Sequence, residues 1–256
     1  MPGGTQAIGR ALSVLSLLAG AGGELSAATV AAELALSSGT TSRILRALVA
    51  TGLVTQNPRT EGYHLGSGAI LLGQAAQRVL GLDRALPVLE RVNAETRESV
   101  NLVVREADES VVMLRVQSTL PLRFEQHPGA RFPLYTTASG KAILAFSADA
   151  EAYLSSLPDE LAQLTPRTLR SPALVRRQLE ETRQRGYSVD DEENVAGVRC
   201  VGAPVLDPEG GAQAALVIQV PTVRMPPERV AELGAVARGA AHEVARFVPL
   251  HRALSR

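Results

Sequence analysis

The first apolar positions of the chain recur at helical spacing. They fall every three to four residues, which predicts a helix with one buried face, and they are Ile8, Leu12, Leu15 and Leu18. The same stretch also imitates a secretory signal, because Arg10 precedes an apolar run over residues 11–21 that small residues follow. The serines between the apolar positions favour the half-buried helix. No run reaches the roughly 18 apolar residues that a membrane span requires.

Two helices separated by a tight turn are predicted next. Ser26 can cap an alanine-rich helix over residues 27–34, and Ser37 can cap a second helix over residues 37–50. Gly52 follows the second helix and provides its stop. This order of elements predicts a helix-turn-helix.

A hairpin and a further helix complete the N-terminal part. Strand-like runs at residues 53–56 and 63–65 flank a turn-rich loop, so they predict a β-hairpin, which behind a helix-turn-helix is a wing. Residues 69–80 have a helical composition and a face of small apolar side chains suited to packing on another helix. We interpret them as a linker helix that also forms a dimer contact.

Helical segments and apolar strands fill the remainder of the chain. Helices are expected at residues 83–97, 139–146, 172–185 and 226–247, and strands at residues 100–105, 111–116, 187–189, 198–206 and 212–220. This mixture predicts an α+β domain with a mixed or antiparallel sheet. The predicted organisation is a DNA-binding domain at residues 1–66, a linker helix at 67–80 and a second domain at 81–256.

The charge balance and the cysteine content limit the classes of function. The 26 basic and 26 acidic side chains cancel, so any contact with nucleic acid must rest on a local surface. The single cysteine, Cys200, excludes an intramolecular disulfide and fits a cytoplasmic protein.

The second helix of the helix-turn-helix has a free polar face. Thr41, Leu45 and Leu48 fall on the packing side, and no acidic residue occurs between residues 37 and 51. Hydroxyls and arginines on the other side suit phosphate oxygens, guanine edges and thymine methyls. The candidate DNA contacts, which include one arginine at the hairpin tip, are Ser37, Ser38, Gly39, Thr40, Ser42, Arg43, Arg46 and Arg59. The alternative is an ordinary surface helix.

Several catalytic and cofactor sites are not supported. Residues 138–141 lack the glycine and the hydroxyl that a phosphate-binding loop needs around Lys141. The acidic run at residues 190–193 is typical of a solvated loop, and no histidines accompany it, so no metal or other cofactor is expected. Cys200 has no electropositive partner in the sequence and is expected to pack as a small hydrophobic residue. We therefore assign no catalytic residue.

Two motif blocks carry a resemblance to a known family. Residues 131–147 and 186–206 resemble the effector-binding half of IclR-type transcriptional regulators. Residues 43–48, Arg-Ile-Leu-Arg-Ala-Leu, and the hairpin residues that follow resemble that family's winged helix. Ala35 stands where the family usually has a turn glycine, and Thr41 where a branched apolar residue is usual. The resemblance implies a GAF-like C-terminal domain that binds a small-molecule effector.

The resemblance also assigns a ligand pocket. Its implied lining is Phe124, Phe132, Ala138, Ser139, Gly140, Asp190, Cys200, Val217 and Gln219. Relatives that bind small oxoacids tend to carry hydroxyls at the positions of Val217 and Gln219, so the pocket is expected to be more apolar and larger, for a small organic acid or an aromatic metabolite.

The function implied is sequence-specific transcriptional regulation. The expected protein is a non-enzymatic repressor that binds double-stranded operator DNA as a homodimer or a dimer of dimers, away from membranes. The alternatives are a GAF-like enzyme and a ligand sensor that acts through protein partners without DNA.

Overall fold

A computed structural model of the protein describes residues 3–248, except for the side chains of residues 3, 4 and 213. The end of the predicted second domain, residues 249–256, lies outside the described residues. The chain divides into two compact units, Met1–Val79 and Leu80–Arg256.

The N-terminal unit is a winged helix-turn-helix followed by one more helix. Its elements are α1 (Gly3–Gly20), α2 (Ala27–Glu33), α3 (Ser38–Ala50), β1 (Val54–Gln56), β2 (Tyr63–Leu65) and α4 (Ser67–Val79). The strands β1 and β2 pair antiparallel, with Val54 opposite Leu65. The winged fold predicted from the sequence is confirmed.

Side-chain caps and a small apolar core hold this unit together. The Ser26 hydroxyl accepts from the N–H of Thr29 at 3.0 Å, and the Ser37 hydroxyl accepts from that of Thr40 at 3.3 Å. Buried Thr41 donates its hydroxyl to the carbonyl of Ser37 at 3.1 Å, so the polar residue at this position leaves no buried hydroxyl without a partner. The core side chains are Val14, Leu18, Val30, Leu45, Leu48 and Val54.

The buried face of α1 differs from the predicted one. Of the predicted positions, Leu18 is buried and Leu15 is half-buried, whereas Ile8 and Leu12 are 64% and 58% exposed and Val14 is buried instead. Ile8 and Val14 both lie on apolar stripes at helical spacing, and contact with the other helices decides which of them is covered. The burial of Val14 and Leu18 in a folded unit supports a structural helix here rather than a secretory signal.

The turn between α2 and α3 uses an unusual backbone conformation. Ala35 has φ +50°, in the left-handed region that favours glycine. A residue with a side chain costs about 1–2 kcal/mol in this conformation. Ala35 therefore disfavours the turn that it occupies.

The C-terminal unit contains a six-stranded sheet and five helices among its described residues. Its helices are α5 (Leu82–Thr96), α6 (Ala138–Ala145), α7 (Ala150–Ser156), α8 (Pro172–Arg185) and α9 (Pro227–Val244). Its strands are β3 (Ser99–Glu106), β4 (Glu109–Val116), β5 (Arg131–Pro133), β6 (Ser188–Asp191), β7 (Val198–Leu206) and β8 (Ala212–Pro221). All neighbours pair antiparallel, in the order β5-β4-β3-β8-β7-β6. The predicted α+β class is confirmed; the short elements β5 and α7 were not predicted.

Alternating side chains on the central strands pack into two hydrophobic cores, one on each face of the sheet. Leu102 and Leu216 pack with α5 and α9 on one face of the sheet. Val103 and Val217 point to the other face and pack with Ile143 of α6. The α6 face also holds a cavity, so the sheet positions side chains of β3, β4, β7 and β8 around it. Over the described residues, no helix combines the length and apolarity needed to cross a bilayer.

Candidate functional sites

The polar face of α3 is open to solvent. Its outward side chains include Ser42, Arg43 and Arg46, all exposed, while Thr41 and Leu45 are buried on the opposite side. Arg46 donates from Nε to the carbonyl of Ser42 at 3.2 Å. Within residues 3–248, neither arginine forms an ion pair. Both guanidinium groups therefore remain available to an external anion.

The hairpin loop is held by a carboxylate that no sequence pattern predicted. Glu24 accepts from Asn57 Nδ2 at 2.7 Å and from Thr60 Oγ1 at 2.5 Å. The hydrogen bonds from Thr60 and Asn57 lower the pKa of Glu24. Asn57 Oδ1 also accepts from the N–H of Arg59 at 2.9 Å, which fixes the loop backbone and leaves the Arg59 side chain exposed. The tip of the wing is thus ordered with a free basic side chain.

A small cavity of about 40 Å³ lies between the sheet and the start of α6 in the C-terminal unit. This volume holds only a few water molecules. Its lining combines apolar walls with amide, hydroxyl, carboxyl and thiol groups: Asn101, Val103, Val112, Phe124, Gln126, Phe132, Thr137, Ala138, Ser139, Asp190, Asn194, Val195, Val198, Cys200, Val217 and Gln219.

One end of the cavity is the N-terminus of α6. Thr137 caps this helix by accepting from the N–H of Gly140 at 3.0 Å, and Ser139 Oγ lies 3.1 Å from Thr137 Oγ1 and 3.2 Å from Ser110 Oγ. The first N–H groups of a helix have no acceptor within the helix, and they favour an anion. This end of the cavity is suited to a carboxylate.

Asp190 and Cys200 lie opposite each other on β6 and β7, and both line the cavity. Burial raises the pKa of Asp190 to about 7, although its carboxylate accepts from the N–H of Glu193 at 2.7 Å. Burial also raises the pKa of the Cys200 thiol well above its ordinary value. The thiol is therefore neutral at physiological pH, and a thiolate nucleophile is disfavoured.

A buried ion pair lies beside Asp190. Lys141, fully buried, donates to Glu193 Oε1 at 2.5 Å and to Gln178 Oε1 at 2.6 Å. Burial raises the pKa of Glu193, whose Oε2 has no partner among the described residues. The expectation of a solvated acidic loop is wrong for Asp190 and Glu193, because these carboxylates turn inward toward Lys141. The only lysine of the chain was the available signal for this pair.

A half-buried arginine, Arg115, stands behind the cavity wall. Arg115 Nη1 donates to Asn101 Oδ1 and Gln219 Oε1, both at 2.9 Å, and to Gln126 Oε1 at 3.3 Å. These three amides all line the cavity. Sequence reasoning missed Arg115, although a charged residue in the otherwise apolar run over residues 111–116 of β4 was a usable signal.

Comparison with known proteins identifies the family. The profile of the bacterial transcriptional regulator IclR C-terminal domain matches residues 74–246, and that of the IclR helix-turn-helix domain matches residues 7–58. The chain belongs to the IclR family of transcriptional regulators.

Individual IclR-family proteins match over most of their length. The HTH-type transcriptional repressor AllR of Escherichia coli is 31% identical over 250 residues, covering 96% of this chain and 92% of AllR. The crystal structure of the Thermotoga maritima IclR has a TM-score of 0.79 at 29% identity, covering 94% of this chain and 98% of that one. An IclR homologue from Microbacterium hydrocarbonoxydans, solved in complex with 4-hydroxybenzoate, has a TM-score of 0.81 at 23% identity, with 94% and 99% covered.

In this IclR-family protein, eight of the nine residues expected at the pocket line the cavity: Phe124, Phe132, Ala138, Ser139, Asp190, Cys200, Val217 and Gln219. Gly140 is displaced from it and packs on Leu134, where an added Cβ would lie 2.1 Å from the carbonyl oxygen. The expectation that this pocket is larger and more apolar than those of oxoacid-binding relatives stays a prediction; the cavity itself has a volume of about 40 Å³. Gln126 and Gln219 line the cavity and accept hydrogen bonds from Arg115, so part of the lining is polar.

Proposed function

We propose that this IclR-family protein is a cytoplasmic repressor that binds double-stranded operator DNA through α3 and the wing, as a homodimer or a dimer of dimers. A small organic acid in the C-terminal cavity is its controlling effector. The observation that carries this proposal is the exposed face of α3, where Arg43 and Arg46 have no acidic partner among the described residues. A guanidinium in that position can donate to guanine edges or phosphates in a major groove.

Exposed apolar surface in the N-terminal unit supports self-association. Every residue of α4 from 71 to 79 is exposed, and none of the helix is buried. Four large apolar side chains on this helix are 62–71% exposed: Ile70, Leu71, Leu72 and Val79. Contiguous exposed apolar surface on a helix is typical of an interaction site. A second copy of the same helix would cover it and place two recognition helices on neighbouring half-sites.

The cavity supports control by a bound acid. The helix N-terminus at Thr137 and Ser139 favours a carboxylate, and the solved homologue bound to 4-hydroxybenzoate shows an aromatic acid on a related fold. An effector that binds one dimer geometry more tightly than another shifts the spacing of the two α3 helices. The name of the AllR repressor supports repression as the direction of control.

An enzymatic role is less well supported. Cys200 is buried with its thiol held neutral by desolvation, so thiol-dependent catalysis lacks an activated nucleophile. A sensor acting only through protein partners would leave the Arg43 and Arg46 side chains without a function. A gel shift with the DNA upstream of the gene, with and without candidate acids, separates both alternatives from a repressor.

Replacing Arg43 with alanine is expected to weaken operator binding by about 1–3 kcal/mol for each recognition helix, because a bidentate contact to a guanine edge is lost. Fluorescence anisotropy of labelled operator at fixed salt measures this change. Arg177→Ala is the matched control: Arg177 is an exposed arginine of α8, so its removal changes the net charge equally. Equal losses in both variants would show that only total charge, and not α3, determines affinity.

Operator affinity is also expected to fall with salt. Each protomer offers four candidate phosphate contacts, Arg10, Arg43, Arg46 and Arg59. A dimer therefore makes about eight at most, and the slope of log affinity against log salt is expected to be no steeper than about −7. Filter-binding measurements of operator affinity at salt concentrations from about 50 mM to about 200 mM check this slope. Binding that does not change with salt would contradict the proposed interface.

A further inference from the structure

Among the described residues, no carboxylate forms an ion pair with Arg115. All its hydrogen-bond acceptors are neutral: besides the three amides, Nη2 donates to the carbonyl of Phe124 at 2.5 Å and to Ser99 Oγ at 3.3 Å. The Nε atom is buried and has no partner among the described residues. A guanidinium that is partly buried in this way is stabilised by a carboxylate partner, because burying charge without a counter-ion is unfavourable.

The carboxylates close to Arg115 or to the cavity are already engaged or weakly charged. The Glu125 carboxylate attracts Arg115 without a hydrogen bond. It is over half exposed, pairs with Arg123 at 3.0 Å and accepts from Gln117 at 2.6 Å. The Glu193 carboxylate pairs with Lys141. Burial raises the pKa of Asp190 to about 7, so it is only partly ionised at physiological pH. The described residues thus leave the arginine side of the cavity positive.

The cavity has two separate places that favour an anion. The N-terminus of α6 offers N–H groups beside Thr137 and Ser139, and the amides on the other side are ligands of Arg115. A single carboxylate at the helix start would leave the guanidinium without its counter-ion. A second acidic group would supply that counter-ion.

We propose that the effector of this protein is a dicarboxylic acid, with one carboxylate at the start of α6 and the other paired with Arg115. This inference rests on the proposed function of the cavity and specifies the class of ligand. The amides of Gln126 and Gln219 are the groups to be displaced, since each holds Arg115 through a neutral oxygen and the two contact each other at 3.3 Å. A carboxylate bound bidentate to a guanidinium forms stronger hydrogen bonds than these neutral acceptors do. Their displacement also enlarges a cavity that is too small for an organic acid as it stands.

The test compares diacids with monoacids of matched size on the full chain. Isothermal titration calorimetry with succinate and butyrate, 2-oxoglutarate and 2-oxopentanoate, and terephthalate and 4-methylbenzoate gives three pairs. In at least one pair the diacid is expected to bind tenfold or more tightly than its monoacid. Arg115→Met is expected to remove this preference while leaving monoacid binding within about twofold, and Arg115→Lys to retain part of it. Equal binding within every pair, or a preference that survives Arg115→Met, would overturn the inference.

A second variant keeps the test decisive if Arg115→Met does not fold. Gln219→Glu places a carboxylate on an existing ligand of Arg115, so it is expected to raise the melting temperature and to suppress diacid binding at least tenfold. Diacid binding unchanged by Gln219→Glu would also overturn the inference. A different outcome is that monoacids bind, that they release operator DNA, and that Val217→Trp blocks their binding. That outcome would support the proposed function and contradict the dicarboxylate inference. Operator binding that no acid of either kind changes would overturn both.

Discussion

Lys141→Met is expected to lower the free energy of unfolding of the C-terminal unit by about 3–5 kcal/mol. Lys141 is fully buried and forms a 2.5 Å ion pair with Glu193, whose other oxygen already lacks a partner. Removing the ammonium group leaves a buried carboxylate without compensation, and its protonation recovers only part of the loss. Urea unfolding followed by tyrosine fluorescence measures the change, because Tyr135, Tyr153 and Tyr187 report on this unit.

Two controls separate charge burial from lost packing. The double variant Lys141→Met, Glu193→Gln removes both charges and is expected to recover a substantial part of the stability, since no ion is left unpaired. Arg177→Met breaks the exposed pair with Glu181 and is expected to cost less than about 1 kcal/mol. A loss below about 1 kcal/mol for Lys141→Met itself would show that water reaches the pair.

Asp190→Asn is expected to make the C-terminal unit more stable than the unchanged protein at pH 8, by about 2–4 kcal/mol. Burial raises the pKa of Asp190 from 3.8 to about 7. The folded state therefore holds this proton more tightly than the unfolded chain does. The stability from the protonated form is complete below about pH 4 and is lost as the pH rises through 7. Asparagine cannot ionise, so the variant escapes that loss.

Urea unfolding of Asp190→Asn and of the unchanged protein at several pH values between 5 and 8 tests this prediction. The difference in their free energies of unfolding is expected to widen as the pH rises. Asp149→Asn is the control of opposite sign, because the Arg105 guanidinium lowers the pKa of Asp149, so its charged form stabilises the protein. If the difference in free energy of unfolding between Asp190→Asn and the unchanged protein did not change with pH, the raised pKa of Asp190 would be contradicted. The same Asp190 variant is expected to retain operator affinity and to lose its response to the effector.

Local patterns were sufficient to predict most of the elements that position the candidate sites. The serine caps of α2 and α3 and the stop at Gly52 are local features, since each depends on residues within one turn. The apolar runs of β3, β7 and β8 predicted strands because they match the composition of buried sheet positions. The short β5 and α7 have too few residues to show a period, so they were found only in the structure.

The candidate cavity was predicted through family resemblance more than through residue chemistry. Eight of its lining residues followed from the resemblance, and five of them lie within the two motif blocks. Arg115 and Asn101 were missed because they are 14 positions apart and meet only when β3 and β4 pair. No short-range pattern shows that an arginine on one strand will find only neutral acceptors on the next.

The sequence by itself determined the winged helix-turn-helix, the α+β class of the second unit and the residues that α3 presents to solvent. These properties follow from periodicity, capping and turn chemistry, which act over a few residues. Only the tertiary structure decided that Val14 rather than Ile8 enters the core, and that Asp190 and Glu193 turn inward. It also decided that Gln126 and Gln219, on the cavity lining, accept hydrogen bonds from Arg115. Burial and charge pairing depend on which distant segments pack together, and those contacts set the pKa values, the cavity volume and the unbalanced charge of the site.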